Sequence, residues 1–295
     1  MSDNDADKLR QQILDSASYR RADRDPDWID SPEMRGIRLF LEYAKPQLTL
    51  LRANVRSTIV LFGGSRILEP GVAREQLEQA QKLALANPDD PQLAAQVRVA
   101  DRVLAKSGYY DVAREFARRV SQRYQTDDER DLVVVTGGGG GIMEAGNRGA
   151  FDVGAKSVGL NITLPHEQEP NIYIAPELCF QFRYFALRKM HFLATAKALV
   201  AFPGGYGTFD EVFETLCLIQ TKVIKPVPVV LVGEAFWRKA FDVDFLLAEG
   251  VIGPEDAALF GYCETADDIE AYIVDWYTER QIDPMQAPSP YKSDI

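Results

Sequence analysis

The chain has 295 residues, room for one large or two ordinary domains, and its 44 acidic against 33 basic side chains leave a net charge of −11. That balance argues against a nonspecific grip on nucleic acid, which needs a basic surface, and no apolar run approaches the ~20 residues that span a bilayer. Three widely spaced cysteines (Cys179, Cys217, Cys263) exclude a disulfide framework by number and context and are expected as buried free thiols.

Taken in chain order, MSDNDADKLRQQ has no signal-peptide core, so the expected location is cytoplasmic. Residues 1 to about 30 are polar without clear periodicity and read as a mobile or peripherally packed arm. Ser31-Pro32-Glu33 is a helix start, and the helix should carry Met34, Ile37, Leu41 and Tyr43 to about Ala44, before Pro46. Ser57–Phe62 is the first strand. It ends in Gly63-Gly64-Ser65-Arg66, where an open parallel sheet holds ligands, although glycines also serve ordinary turns. Residues 69–124 are helical in composition but broken by Asn87-Pro88-Asp89-Asp90-Pro91, as in a helical hairpin inserted between two strands. The last helix there, Asp111–Tyr124, presents Val112, Phe116 and Val120 to the sheet.

Asp131–Thr136 is the second strand, followed by five glycines, Gly137 to Gly141, and a helix Ile142–Ala150. So many glycines are costly in backbone entropy and suggest close approach to a ligand, chiefly at Gly138, Gly139 and Gly140. Glu144, in the first turn, is a candidate capping carboxylate. No Lys-Ser/Thr follows the glycines, so the run is not an ATPase phosphate loop. Lys156–Leu160 and Glu177–Phe182 are further strands, joined by a polar loop over 161–171, and Phe185–Ala196 is a helix. His166 reads as an exposed loop residue and His191 as a packed or capping one. Neither has the companions of a metal site, so no metal is expected.

The next stretch, KALVAFPGGYGTFDEVFETLCLIQTKVI (Lys197–Ile224), carries the chemistry. A buried strand ends in Pro203-Gly204-Gly205-Tyr206-Gly207. Thr208 then opens a helix with apolar residues at helical spacing. Free amides and the helix dipole converge there on one point, an anion site suited to phosphate. Glu211 stands three residues after Thr208. Spacing admits a capping box with Thr208 or a carboxylate facing the ligand, and does not choose between them. Pro228–Gly233 is another strand, Ala235–Glu249 a helix rich in aromatics, and Leu259–Cys263 the last strand. Thr265-Ala-Asp-Asp268 caps a terminal helix to about Tyr277, and the proline-containing tail from Asp283 reads as disordered. The alternation predicts an α/β fold: a Rossmann-like, doubly wound, mainly parallel sheet with a helical N-terminal arm and a helical insert. The expected domains are an arm with its packing helix over 1–56, the Rossmann-like domain over 57–282, and the tail over 283–295. No dinucleotide fingerprint is present, so a mononucleotide is the better ligand.

Pro203–Glu211 resembles the P-G-G-x-G-T-x-x-E signature of the Lonely Guy family, nucleoside 5′-monophosphate phosphoribohydrolases formerly labelled lysine decarboxylases. Arg188-Lys189 and Gly137–Gly141 resemble the family's other two elements, and the likeness runs roughly from Ser57 to Trp276. It implies hydrolysis of the N-glycosidic bond of an AMP-class nucleotide, with or without an N6 substituent as in cytokinins, to free base and ribose 5-phosphate. Glu211 and Arg188 would be catalytic. Gly204, Gly205, Gly207 and Thr208 would take the 5′-phosphate, and Ser65, Arg66 and Lys189 would contact the nucleotide. In short plant-type members a methionine follows the Arg-Lys pair after two residues; here Met190 follows at once and Phe192 takes that place. No cofactor is implied, since nothing marks Lys189 for a pyridoxal-phosphate Schiff base. The family forms homodimers or larger oligomers. The alternative is a carrier without chemistry, for a nucleotide or molybdenum cofactor, on the same fold.

Overall fold

The computed structural model describes residues 3–126, 128–165, 169–287 and 289–291. His166 lies outside them. The chain divides into two compact units, Met1–Gln47 and Leu48–Ile295.

The first unit is helical. Helix α1 (Asp3–Leu14) has acids in its first turn, favourable for the helix dipole, and no buried residue. The expected helical arm is therefore present, although helical periodicity is a burial signal and a helix with no buried face gives none. A short α2 (Pro26–Ile29) is capped by Asp25, whose side chain accepts from the Trp28 amide. Helix α3 (Arg35–Arg52) passes through Pro46 instead of stopping at Ala44. Proline removes one ladder bond, and the apolar positions that continue to Leu51 carry the helix beyond it.

The second unit is a seven-stranded sheet with every pairing parallel, in the order β4-β3-β2-β1-β5-β6-β7. The strands are β1 (Thr58–Phe62), β2 (Val133–Thr136), β3 (Ser157–Ile162), β4 (Cys179–Phe182), β5 (Ala196–Ala201), β6 (Val229–Val232) and β7 (Phe260–Cys263). Alternate residues feed two separate cores. Val60, Phe62, Leu199 and Leu231 pack beneath α8 (Phe185–Ala194), α9 (Tyr206–Gln220) and α10 (Glu234–Ala240). Ile59, Leu61, Val200 and Val232 pack beneath α6 (Gly108–Tyr124), α7 (Ile142–Phe151) and α13 (Ala266–Glu279). Both faces of the central strands are covered, which is why β1, β2 and β6 read as nearly continuous apolar runs. The expected doubly wound α/β sheet is thus the one observed, and strand order reverses between β1 and β5, the place where such sheets open a ligand crevice.

The expected insert is a hairpin of α4 (Pro70–Ala86) and α5 (Pro91–Leu104), with Asp90 capping α5 through the Gln92 amide. The single helix expected over 235–249 is instead α10 and α11 (Val243–Ala248), because the Asp242 side chain takes the Phe245 amide and starts a new helix. A short α12 (Pro254–Ala257) precedes β7. Thr265 and Asp268 form the expected capping box at α13.

Composition misleads over the last segment. Tyr291 forms an antiparallel bridge with Ile224, the Lys225 amide donates to the Pro290 carbonyl at 2.7 Å, and Lys197 Nζ donates to the Ala287 carbonyl. Met285 and Ala287 pack on the core. Prolines withhold amides but leave carbonyls and apolar rings, and here both find partners. Among the cysteines only Cys263 is buried; Cys179 is half-buried and Cys217 exposed, all as free thiols. No helix among the described residues is long and apolar enough to cross a membrane.

Candidate active site

Three loops meet at the carboxyl ends of β1, β2 and β5 and brace one another through their backbones. The Gly64 amide donates to the Pro203 carbonyl at 2.9 Å, and the Ile142 amide donates to the Gly64 carbonyl at 3.3 Å. Between them opens a cavity of about 320 Å3, lined by Gly63–Ser65, Gly137, Gly139, Gly205, Gly207 and Thr208 together with Arg188 and Glu211. Asn161 and Asp210 also line it, and Phe62, Met143, Ile162, Leu164 and Phe185 give it an apolar part.

Helix α9 begins at Tyr206 with Gly205 as its N-cap, two residues earlier than expected. Thr208 is therefore inside the first turn, and its amide bonds the Gly205 carbonyl at 2.9 Å. This removes both the capping-box role and the Thr208 amide as a phosphate donor. Tyr206 and Gly207, the first two helical residues, keep amides free of the ladder; Tyr206 was not among the expected contacts. At Gly204 an added Cβ would overlap the Thr208 hydroxyl, whereas at Gly205 it would meet nothing within 4 Å. Tight packing thus demands the first glycine, and the second faces open space.

Glu211 is only 6% exposed. Burial raises its carboxyl to about pH 7, and the nearby Lys189 and Arg188 cations pull against that rise without cancelling it. Arg188 is held from β3, its Nε donating to the Leu160 carbonyl at 2.7 Å, and its guanidinium lies 5.0 Å from the Phe192 ring centroid. Burial lowers its pKa, and Glu211 opposes that shift. Phe192 is fully buried and packs edge-on against Phe62, so it forms a floor beneath Arg188. Lys189 does not line the cavity. Its Nζ pairs with Asp210 at 2.8 Å and Glu214 at 2.9 Å, fixing α8 to α9.

The glycine run after β2 is held by a polar network that sequence reasoning missed. Asn147 of α7 accepts from the Thr136 hydroxyl at 2.7 Å and donates to Ser157 at 2.9 Å. Asn171 donates to Asn147, and to the carbonyls of Gly138 and Gly139. Gly138 itself has φ +78° and Asn161 fills the space where a Cβ would stand, so it shapes the loop and does not line the cavity. Gly140 likewise lies outside the lining. Glu144 is no cap: it accepts from the Tyr110 hydroxyl at 2.8 Å. Ser65 lines the cavity, whereas Arg66 and Gly204 line a neighbouring one. His191 is packed, its Nδ1 2.7 Å from the Leu187 carbonyl. Among the described residues no three His, Cys, Asp or Glu are placed to hold a metal ion.

Fold and site together define a doubly wound α/β protein with a glycine-lined cavity at its switch point. Residues 143–273 match the family model described as "Possible lysine decarboxylase", the former label of the family that the sequence motifs resemble. No curated protein matches the chain. Among solved structures, the structural-genomics target TM1055 is 17% identical, with 74% of this chain and 99% of that one covered, at a TM-score of 0.44. The molybdenum cofactor carrier protein of Chlamydomonas reinhardtii is 17% identical, covering 76% and 99%, at 0.42. The molybdenum cofactor binding protein of Rippkaea orientalis is 16% identical, covering 57% and 86%, at 0.38.

Proposed function

We propose that the protein hydrolyses the N-glycosidic bond of a nucleoside 5′-monophosphate, releasing a free base and ribose 5-phosphate. The observation that carries this is Glu211: a buried carboxyl, titrating near neutrality, in the first turns of the glycine-capped helix and in the same cavity as Arg188. A carrier has no need of such a group. The amides of Gly207 and Tyr206, with the α9 dipole, hold the 5′-phosphate. The base lies among Met143, Leu164 and Phe185. As the C1′–N bond breaks, positive charge grows on the ribose, and ionised Glu211 stabilises it. Glu211 takes a proton from the attacking water, whose oxygen bonds C1′. The bonding electrons leave with the base, which Arg188 orients and stabilises, and the proton that Glu211 took from water passes to the departing base, restoring the carboxylate. By the family resemblance the active form is a homodimer or larger.

The test is release of adenine from AMP and from adenosine by the unmodified protein. Charge-assisted hydrogen bonds contribute about 1.5–3 kcal/mol each, so two or three should favour AMP by several orders of magnitude. Equal rates, or no release from any nucleoside monophosphate, would overturn the reading.

A further inference from the structure

A second cavity, of about 760 Å3, adjoins the first at Gly64, Ser65 and Gly205. One wall is the insert helix α5, which presents Arg98 and Arg102, with Lys106 just beyond its end. These recur every fourth residue and so share one face. Arg66, from the loop after β1, faces the same space. Among the described residues no carboxylate lines this cavity.

That is unusual for a chain in which acids outnumber bases by 44 to 33. On the neighbouring helix α6, Arg114, Arg118 and Arg119 are each tied to Asp or Glu. Among the described residues Arg66, Arg98 and Arg102 have no such partner. Cations gathered around one concavity repel one another and concentrate anions there. Four residues of helix advance about 6 Å, so the three cations from Arg98 to Lys106 make a track about 12 Å long. A lone phosphate is too short to engage that track. The volume is in the range of small-ligand pockets, ~300–1,000 Å3, and Val99 and Phe236 offer apolar surface beside the charges.

We propose that this cavity is a second anion site, which takes a compact ligand bearing two or more linked phosphate groups between the insert and the Pro203-Gly204-Gly205 turn. Such a ligand could be a nucleoside polyphosphate or an inorganic polyphosphate. The proposal does not rest on the hydrolase reading.

The experiment is calorimetric titration of the full chain with tripolyphosphate, ATP, orthophosphate and AMP, repeated on Arg98→Ser/Arg102→Ser. Both arginines are exposed on α5, so the fold should persist, as circular dichroism will verify. Tripolyphosphate should bind one per chain, at least roughly tenfold tighter than orthophosphate, and weaken at least roughly tenfold in the double variant. Tighter binding of ATP than of tripolyphosphate would identify the ligand as a nucleotide; equal binding would identify it as inorganic. AMP, held in the first cavity, should bind both proteins alike. No saturable tripolyphosphate binding, or equal binding by both proteins, would overturn the site. Tripolyphosphate binding lost in the variant, with AMP neither bound nor cleaved, would instead refute the hydrolase reading and leave this site standing.

Discussion

Replacing Glu211 by Gln should make the protein more stable and less active at once. The carboxyl is raised from 4.5 to about 7 in the native state, chiefly by burial. Below pH 4.5 it is protonated whether the chain is folded or not, and it costs nothing. As pH rises the unfolded chain ionises first, so native stability falls until the folded carboxyl has also ionised, above pH 7. At about 1.36 kcal/mol per pKa unit, the penalty at pH 8 is on the order of 3 kcal/mol. Glutamine keeps the shape without the charge, so the variant should gain about 3 kcal/mol at pH 8, a rise in Tm of roughly 6 °C. At pH 5.5 only part of the penalty has developed, and the gain should be less than half as large. Urea unfolding of both proteins at the two pH values measures this difference, and groups that titrate alike in both cancel. Turnover should fall by roughly 100-fold or more, the range for a positioned acid–base group. If the proposed hydrolysis holds, kcat/KM of the unmodified protein should rise through about pH 7 to a plateau. A variant that is less stable at pH 8, or whose gain does not change with pH, would refute the claim that burial dominates at Glu211. Full activity in that variant would remove Glu211 from the chemistry.

Asn147→Leu leaves the buried Thr136 and Ser157 hydroxyls without their partner, and should cost about 2–3 kcal/mol in denaturant unfolding while loosening the glycine run. A loss below about 0.5 kcal/mol would show that the network can re-form without it. Gly204→Ala should destabilise the turn and abolish activity, whereas Gly205→Ala should fold normally, as thermal melts of the pair will test. Equal melts would contradict the packing described at Gly204. Sedimentation at micromolar concentration should give at least a dimer; a fully active monomer would rule out assembly as a requirement.

Local sequence determined much of this protein. Strands β1, β2, β5 and β6 are apolar runs because both faces are covered, and a burial demand that continuous is legible in the residues themselves. The turns after β1, β2 and β5 are glycine-rich because the chain packs closely there, against backbone at Gly141 and against the Thr208 side chain at Gly204. The Thr265–Asp268 cap is a contact within four residues, so its signal is wholly local. Helix α1 escaped notice because a helix with no buried side writes no period. The site's chemistry was decided elsewhere. An i, i+3 pair such as Thr208 and Glu211 fits a capping box as well as a ligand-facing carboxylate, and only the start of α9 at Tyr206 separates the two. Lys189 stands next to Arg188 in the chain, yet one side chain pairs with α9 and the other enters the cavity, because successive helical residues point in different directions. The ionisation of Glu211 and the bare cations of α5 facing the Pro203-Gly204-Gly205 turn depend on which distant segments exclude water and which acids stay out of reach. Those are properties of packing, and no spacing along the chain encodes them.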